Sequence, residues 1–377
     1  MMTLDSISTR LAFSEDQTML REEARRLLEA RAPLGALRGW IADGGRDDPA
    51  IWKELAEGGW FGLGTDAVYG GAALGAVELV SLVEESGRVL LAAPLLGQLF
   101  SAALIGAAGS AAQKAFWLPR LVSGEVRMAW APTDAGGAWH MADTGLEDRG
   151  GRLSGDRAFV WAGDTADAFL LPCRRNGGVV LAVVSATAEG LSRESETTLD
   201  PTRAQGRLQL DGVVPEAILE ADAGSVEEDF LPLAWAAMAA ESVGGASAAL
   251  DMTARYAAER EQFGKPIGAF QAIKHPLANV LIAVEQARSL VYAAACALDQ
   301  KNGDAPLLAR MARVAADEAY GFATSRAIQF HGGFGFTDEC DAHLFRRRAM
   351  ASRVAFGTPA HHRQQIAAMI LGAPASG

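Results

Sequence analysis

The sequence predicts an α+β protein of three consecutive parts: an N-terminal helical domain, a middle β-barrel-like domain and a C-terminal helical bundle. Three observations carry this. Apolar residues recur at helical spacing through the first third of the chain. Near Val126 the pattern changes to short β-prone runs bounded by turn residues, and after Ser225 helical spacing returns and holds almost to the end. Helices and strands segregated in this way argue against a doubly wound sheet, and no Gly-x-Gly-x-x-Gly follows a strand and opens a helix.

The expected domains are 1–124, 125–223 and 224–377. In the first, Ser14 and Gln17 form a capping box, with Met19, Leu20, Leu27 and Leu28 behind it at helical spacing. Further helices are expected over Pro49 to Glu57, Ala76 to Val89, Pro94 to Ile105 and Ala111 to Leu118. In the second, Ala158–Trp161, Ala168–Leu171, Val179–Val184 and Arg207–Leu210 read as strands. Asp148-Arg149-Gly150-Gly151 and Arg175-Asn176-Gly177-Gly178 read as hairpin connections. In the third, Ser225 with Glu228 is expected to cap a long helix reaching about Tyr256. Helices over Phe270 to Ala297, Ala305 to Phe330 and Ala342 to Ala355 follow, punctuated by Pro266 and Asn302-Gly303-Asp304.

Composition narrows the function. The chain carries 34 Lys plus Arg against 46 Asp plus Glu, a net charge of −12. Such a surface repels phosphate backbones and anionic lipid, which argues against nucleic acid and membrane partners. Cys173, Cys296 and Cys340 are far apart and show no Cys-x-x-Cys or metal spacing, as expected in a reducing, cytoplasmic compartment. Met1 to Arg10 lacks an apolar run of signal-peptide length. The nearest approach to a membrane span is Phe230 to Leu250, whose Pro232, Glu241 and many small residues favour a buried helix.

Two segments carry chemistry. Glu241 is the only ionisable side chain between Leu231 and Leu250. A carboxyl in an apolar helix has a raised pKa, which suits proton abstraction near neutral pH. The alternative is a buried Glu paired with an Arg of a neighbouring helix, or one at a subunit seam. The run Arg260-Glu261-Gln262-Phe263-Gly264-Lys265-Pro266-Ile267-Gly268-Ala269-Phe270-Gln271 gathers a guanidinium, amides and rings. Arg260 suits a phosphate, Phe263 an adenine or sugar, and Gln262 and Gln271 polar edges. The alternative is an ordinary helix end with surface charges.

On these residues the chain resembles the acyl-CoA dehydrogenase family. Arg260 to Ile267 with Phe270-Gln271-Ala272 is similar to the family's most distinctive run. Gln329-Phe330-His331-Gly332-Gly333-Phe334-Gly335-Phe336 is similar to its Gln-x-x-Gly-Gly-x-Gly signature. Gly59-Trp60-Phe61-Gly62-Leu63 with Tyr69-Gly70-Gly71 is a softer match. The resemblance implies FAD held between the β-domain and the C-terminal helices and reaching across a subunit interface. It implies that Arg260, Gln262, Phe263 and Gln271, with Gln329 and Gly333, serve the diphosphate and adenine. It places Trp161 at the flavin ring, Trp130 and Ala131 against the flavin, and Thr358 on the FAD. It further implies an acyl-CoA substrate, electron-transfer flavoprotein as acceptor and a tetramer.

The family's base positions are altered. Many members carry a Glu before Gly-Thr where this chain has Phe356-Gly357-Thr358, and others carry one at a position matching Ala234. Glu241 lies seven residues on from Ala234, two turns along and on a similar face. It is therefore the candidate base for α,β-dehydrogenation, with flavin N5 as hydride acceptor. Arg346-Arg347-Arg348 and His361-His362-Arg363 resemble the branch acting on bulky thioesters such as steroid side chains, some members of which pair two unlike subunits. The adjacent histidines are expected at a solvated helix start, with no metal. Alternatives are a catalytically silent FAD-binding subunit of a heteromeric acyl-CoA dehydrogenase, a flavin monooxygenase of the same fold, or a purely structural helical protein; the expected assembly is a homo-oligomer or a hetero-oligomer with a second chain of the same kind.

Overall fold

A computed structural model of the chain describes residues 14–42, 44 and 48–372. The expectation for Met1 to Arg10 lies outside the described residues. Helices α1 (Glu15–Arg31), α2 (Leu34–Ala42), α3 (Pro49–Glu57), α4 (Ala76–Arg88), α5 (Leu95–Ala108) and α6 (Ala111–Val122) come first. The Ser14–Gln17 capping box is present, and Ser110 with Gln113 forms another at the start of α6. Strands β1 (Met128–Trp130), β2 (Glu147–Asp148), β3 (Leu153–Trp161), β4 (Ala168–Arg175), β5 (Gly178–Ser185), β6 (Leu191–Glu196), β7 (Gln205–Val213) and β8 (Ala217–Leu219) follow. Then come α7 (Ala223–Glu259), the two-residue strands β9 (Glu261–Gln262) and β10 (Lys265–Pro266), α8 (Gln271–Asp299), α9 (Ala305–His331), α10 (Ala342–Ser352) and α11 (Pro359–Leu371). The order α, β, α is the expected one.

One expected boundary is corrected. Helix α7 starts at Ala223, before Ser225, because the Asp222 carboxylate accepts from the Ser225 N–H at 2.9 Å. Asp222, not Ser225, therefore satisfies the exposed first-turn donors.

The described residues group into two compact units, which cut the chain differently from sequence order. One holds residues 37–75 and 92–231; the other holds those within 1–36, 76–91 and 232–377. In the first unit the strands run in the order β6-β7-β3-β2-β4-β5-β8, with β1 beside β4. This is an open sheet path rather than a closed barrel. Alternate residues such as Val160, Phe169, Leu171, Ala182, Val184, Leu208 and Leu210 form its core. Arg175-Asn176-Gly177-Gly178 makes the β4–β5 turn, with φ of 51° at Asn176 and 85° at Gly177, as a two-residue hairpin requires.

In the second unit α7 crosses α4 at very short range. A Cβ added to Gly244 would lie 1.8 Å from the Glu84 carbonyl oxygen, and one added to Gly87 would lie 2.1 Å from that of Glu241. Only glycine allows this approach. Glu84 and Glu85 of α4 are buried and neutralised by Arg21 and Arg25 of α1 and by Arg288 of α8. Burial pushes the Glu85 carboxyl up, but the Arg25 and Arg21 guanidiniums outweigh it and hold the carboxyl below the usual range. Among the described helices α8 is the one long and apolar enough to cross a membrane, rather than the expected stretch in α7, and α8 packs along α9.

Candidate functional site

Helix α7 ends on the first of the two family-like runs. Arg260 donates its N–H to the Tyr256 carbonyl, and β9 and β10 then form a minimal hairpin, Lys265 opposite Gln262 and Pro266 opposite Glu261. Phe263 and Gly264 turn it with φ of 56° and 77°, both in the left-handed region. A phenylalanine pays for that conformation, and its ring is 91% exposed, so no packing in this chain accounts for it. Phe270 meets it edge-on at 6.1 Å, and the Lys265 ammonium lies 4.4 Å from the Phe270 ring centre. Arg260 and Gln271 are exposed beside it, and among the described residues neither side chain is bonded.

The second run meets the first. His331, at the end of α9, is buried and stacks on Tyr256 of α7 at 4.3 Å, and Phe334 lies 6.2 Å from the same ring. Gly335 turns under Ile328, whose carbonyl a Cβ would approach to 2.7 Å. Gln329 and Gly333 are exposed, and a Cβ on Gly333 would meet nothing within 4 Å. The two runs thus stand together at one end of the helical unit, offering a guanidinium, carboxamides and an exposed ring.

In the sheet unit, Trp161 ends β3 with the Arg203 guanidinium 4.4 Å over its ring. Trp130 is buried against Phe230, and its indole N–H has no partner among the described residues. The Ala131 N–H donates to the Leu170 carbonyl at 3.0 Å and is occupied. Phe159 escapes sequence reading. It is half-exposed at a bulge in β3 with φ of 56°, its N–H held by the Glu196 carboxylate at 2.9 Å. Only an aromatic two residues before Trp161 hinted at it.

Near the C-terminus, Phe356 and Gly357 have φ of 55° and 106°. The buried Phe356 carbonyl accepts from the Trp235 indole at 2.9 Å, and Thr358 caps α11 by accepting from the His361 N–H at 3.2 Å. Ala234 is wholly buried beside Trp235. His362 is buried, contrary to the solvated start expected for the pair, because α11 packs that face on α9. Burial, with the positive charges of Arg313 and Arg310, pushes its pKa down to about 3.

Glu241 lies in this helical unit, buried, and its carboxylate accepts from the Arg348 guanidinium at 3.1 Å and from the Ser352 hydroxyl at 3.5 Å. Its surroundings are therefore not the apolar isolation that the sequence suggests. Arg348 is itself buried on α10, and next to it Arg313 of α9 bonds Asp317 and the Ser352 carbonyl. A line of four charges, two of each sign, runs through the interior of the bundle.

In the helical unit, an exposed ring on a strained turn with unbonded Arg and Gln side chains suits an adenine and a diphosphate, and in the sheet unit the orphaned buried Trp130 indole donor suits a polar planar ring, so each set by itself fits a part of FAD. Residues 14–125 match the acyl-CoA dehydrogenase N-terminal domain and residues 227–371 its C-terminal domain. The acyl-CoA dehydrogenase IpdE2 of Mycobacterium tuberculosis is 33% identical over 353 residues, covering 92% of this chain and 94% of that protein. A variant of the Tcur3481–Tcur3483 steroid acyl-CoA dehydrogenase superposes with a TM-score of 0.85 at 32% identity, over 95% of this chain and 98% of the other. The ChsE4–ChsE5 complex of Mycobacterium tuberculosis superposes at 0.87 and 25% identity, over 97% and 100%. The fold and these relatives define a flavin-dependent oxidoreductase class. The chain belongs to the acyl-CoA dehydrogenase family, among relatives of the steroid type.

Proposed function

We propose that this chain is the flavin-holding subunit of an acyl-CoA dehydrogenase assembled from two unlike chains, the catalytic carboxylate coming from the partner. One observation carries the reading. The two places where the resemblance puts the base hold Phe356 and Ala234, and the candidate acid Glu241 is ion-paired to a buried arginine. Taking a proton would break the charge pairing between Glu241 and Arg348. The relatives Tcur3481–Tcur3483 and ChsE4–ChsE5 are each named as a pair, which supports an assembly of unlike chains here.

In this reading Arg260 holds the FAD diphosphate, Phe263 covers the adenine, and Gln262, Gln271, Gln329 and the Gly333 N–H bond polar edges. Trp161 and Phe159 cover the ring system, the Trp130 indole donates to it, and Thr358 bonds the cofactor from the α11 cap. When bound, FAD supplies the acceptor for the β-hydrogen, leaving as hydride. The α-proton goes to the partner's carboxylate, and hydrogen bonds to the thioester oxygen stabilise the enolate-like charge. The electrons pass on to an electron-transfer flavoprotein, and the substrate is a bulky acyl-CoA.

A second reading keeps Glu241 as the base, favoured by its place two turns beyond Ala234. Glu241→Gln separates the two. Turnover of acyl-CoA with an artificial electron acceptor is measured on the complete assembly at matched flavin content. We expect turnover to stay within about threefold; a loss of about a hundredfold or more makes Glu241 the base and removes the proposal.

A further inference from the structure

We propose that Arg310, backed by Trp235 and His362, is an oxyanion-binding site one side chain removed from the Phe356–Thr358 loop. Its ligand is a carboxylate on the acyl group or a phosphate of the cofactor. Five arginines of the same helical unit stand against acids: Arg21 and Arg288 on Glu84, Arg25 on Glu85, Arg313 on Asp317 and Arg348 on Glu241. Arg310 has none among the described residues. Its guanidinium stacks on the Trp235 ring at 3.9 Å, and its Nη1 meets the His362 Nδ1 at 3.3 Å. That contact makes Nδ1 the acceptor, because an arginine carries no lone pair to offer. The imidazole is neutral, so it supplies no counter-charge. Burial alone pushes the Arg310 pKa down to about 10, with no anion opposing it.

A half-buried cation facing only a ring and a neutral imidazole is incomplete, because desolvating a charge costs free energy that an opposite charge normally offsets. The arrangement is also preorganised. Trp235 is fixed by its bond to the Phe356 carbonyl, and His362 is wedged under Gly357, where an added Cβ would lie 3.1 Å from its Nε2. Both supports touch the loop that ends in Thr358. The planar fork left over suits a carboxylate or phosphate bidentately. Which source supplies the oxyanion rests on the proposed function; the site itself does not.

The first test needs no cofactor. Thermal unfolding of the full chain is followed with increasing glutarate or inorganic phosphate, against chloride at equal ionic strength. We expect the midpoint to rise by about 2 °C at several times the dissociation constant. Arg310→Met, which keeps an apolar stem on Trp235, is expected to show no rise, and Arg310→Lys a smaller one. No rise in the parent protein, or an equal rise in Arg310→Met, overturns the site. The second test titrates the flavin-loaded assembly with glutaryl-CoA and with butyryl-CoA, and measures flavin dissociation. Arg310→Met weakening glutaryl-CoA about tenfold, with butyryl-CoA within about twofold, assigns the site to an acyl carboxylate. Weaker flavin with both thioesters unchanged assigns it to a cofactor phosphate. All three unchanged overturns the proposal, whereas a parent protein that binds neither flavin nor thioester removes the proposed function and leaves the first test standing.

Discussion

At the scale of the residue, the interior of the bundle is decided by charge pairing across long sequence separation. Glu241 and Arg348 are 107 residues apart, and nothing local to Leu231–Leu250 announces the partner. Sequence could show that the helix is apolar and that it carries one acid; it left open whether that acid is a base or half of an ion pair. The distinction is energetic and measurable. Arg348→Met removes the guanidinium bonded to the buried Glu241 carboxylate and is expected to cost about 3–5 kcal/mol in denaturant unfolding. Adding Glu241→Met to the same chain is expected to recover most of that loss, since replacing a whole buried pair by apolar side chains is often neutral. Costs that simply add would show that the two side chains do not act as a pair. The glycines at the α4–α7 crossing were equally unreadable, because a Gly in an Ala-rich helix looks like a weak helix former until a neighbouring backbone fills the space.

At the scale of the element, legibility followed how local the determinants are. The Asn176-Gly177 hairpin was readable because both residues tolerate positive φ, and the β4–β5 register follows from it. The cap of α7 was misplaced by three residues because Asp222 caps the helix one turn earlier and takes the N–H and hydroxyl of Ser225. Strand β6, Leu191–Glu196, escaped because its residues are polar or charged after Leu191 and mostly exposed, so it shows no alternation; pairing with β7 and side-chain bonds such as Ser195 to Asp164 hold it. The β9–β10 hairpin was visible as a motif but not as a hairpin, since Phe263 is a poor choice for a left-handed turn. That mismatch is the best sign that the turn serves a ligand. Phe263→Ala is expected to leave unfolding within about 0.5 kcal/mol, because the ring is exposed. Flavin affinity should fall about tenfold, the usual worth of a stacked aromatic. An unchanged flavin dissociation constant would remove Phe263 from the cofactor site.

At the scale of the whole molecule, two buried groups of the helical unit make opposite demands on pH. His362 is held neutral, its pKa lowered to about 3 by burial and then by Arg313, Arg310 and His361. Above pH ~6.5 neither the folded nor the unfolded chain protonates it, so its contribution to stability is fully present. As pH falls the unfolded chain takes the proton first, and stability is lost down to about pH 3. Asp317 behaves the other way. Burial raises its pKa to about 6, and this outweighs the lowering by Arg313, whose bond leaves one carboxylate oxygen without a partner. Its carboxyl therefore favours the folded state below its unfolded pKa of about 3.9, and that advantage is lost as pH rises through 6. Between pH 7 and pH 5 His362 costs about 2 kcal/mol on acidification while Asp317 returns about 1, each as an upper value. In the parent protein the second offsets part of the first. His362→Asn should therefore gain stability relative to the parent as pH falls from 7 to 5, and Asp317→Asn should lose it, in denaturant unfolding at matched flavin content. Parallel profiles for all three proteins would mean that neither group changes its proton affinity on folding, and that the polar interior of the bundle is wetter than its packing implies.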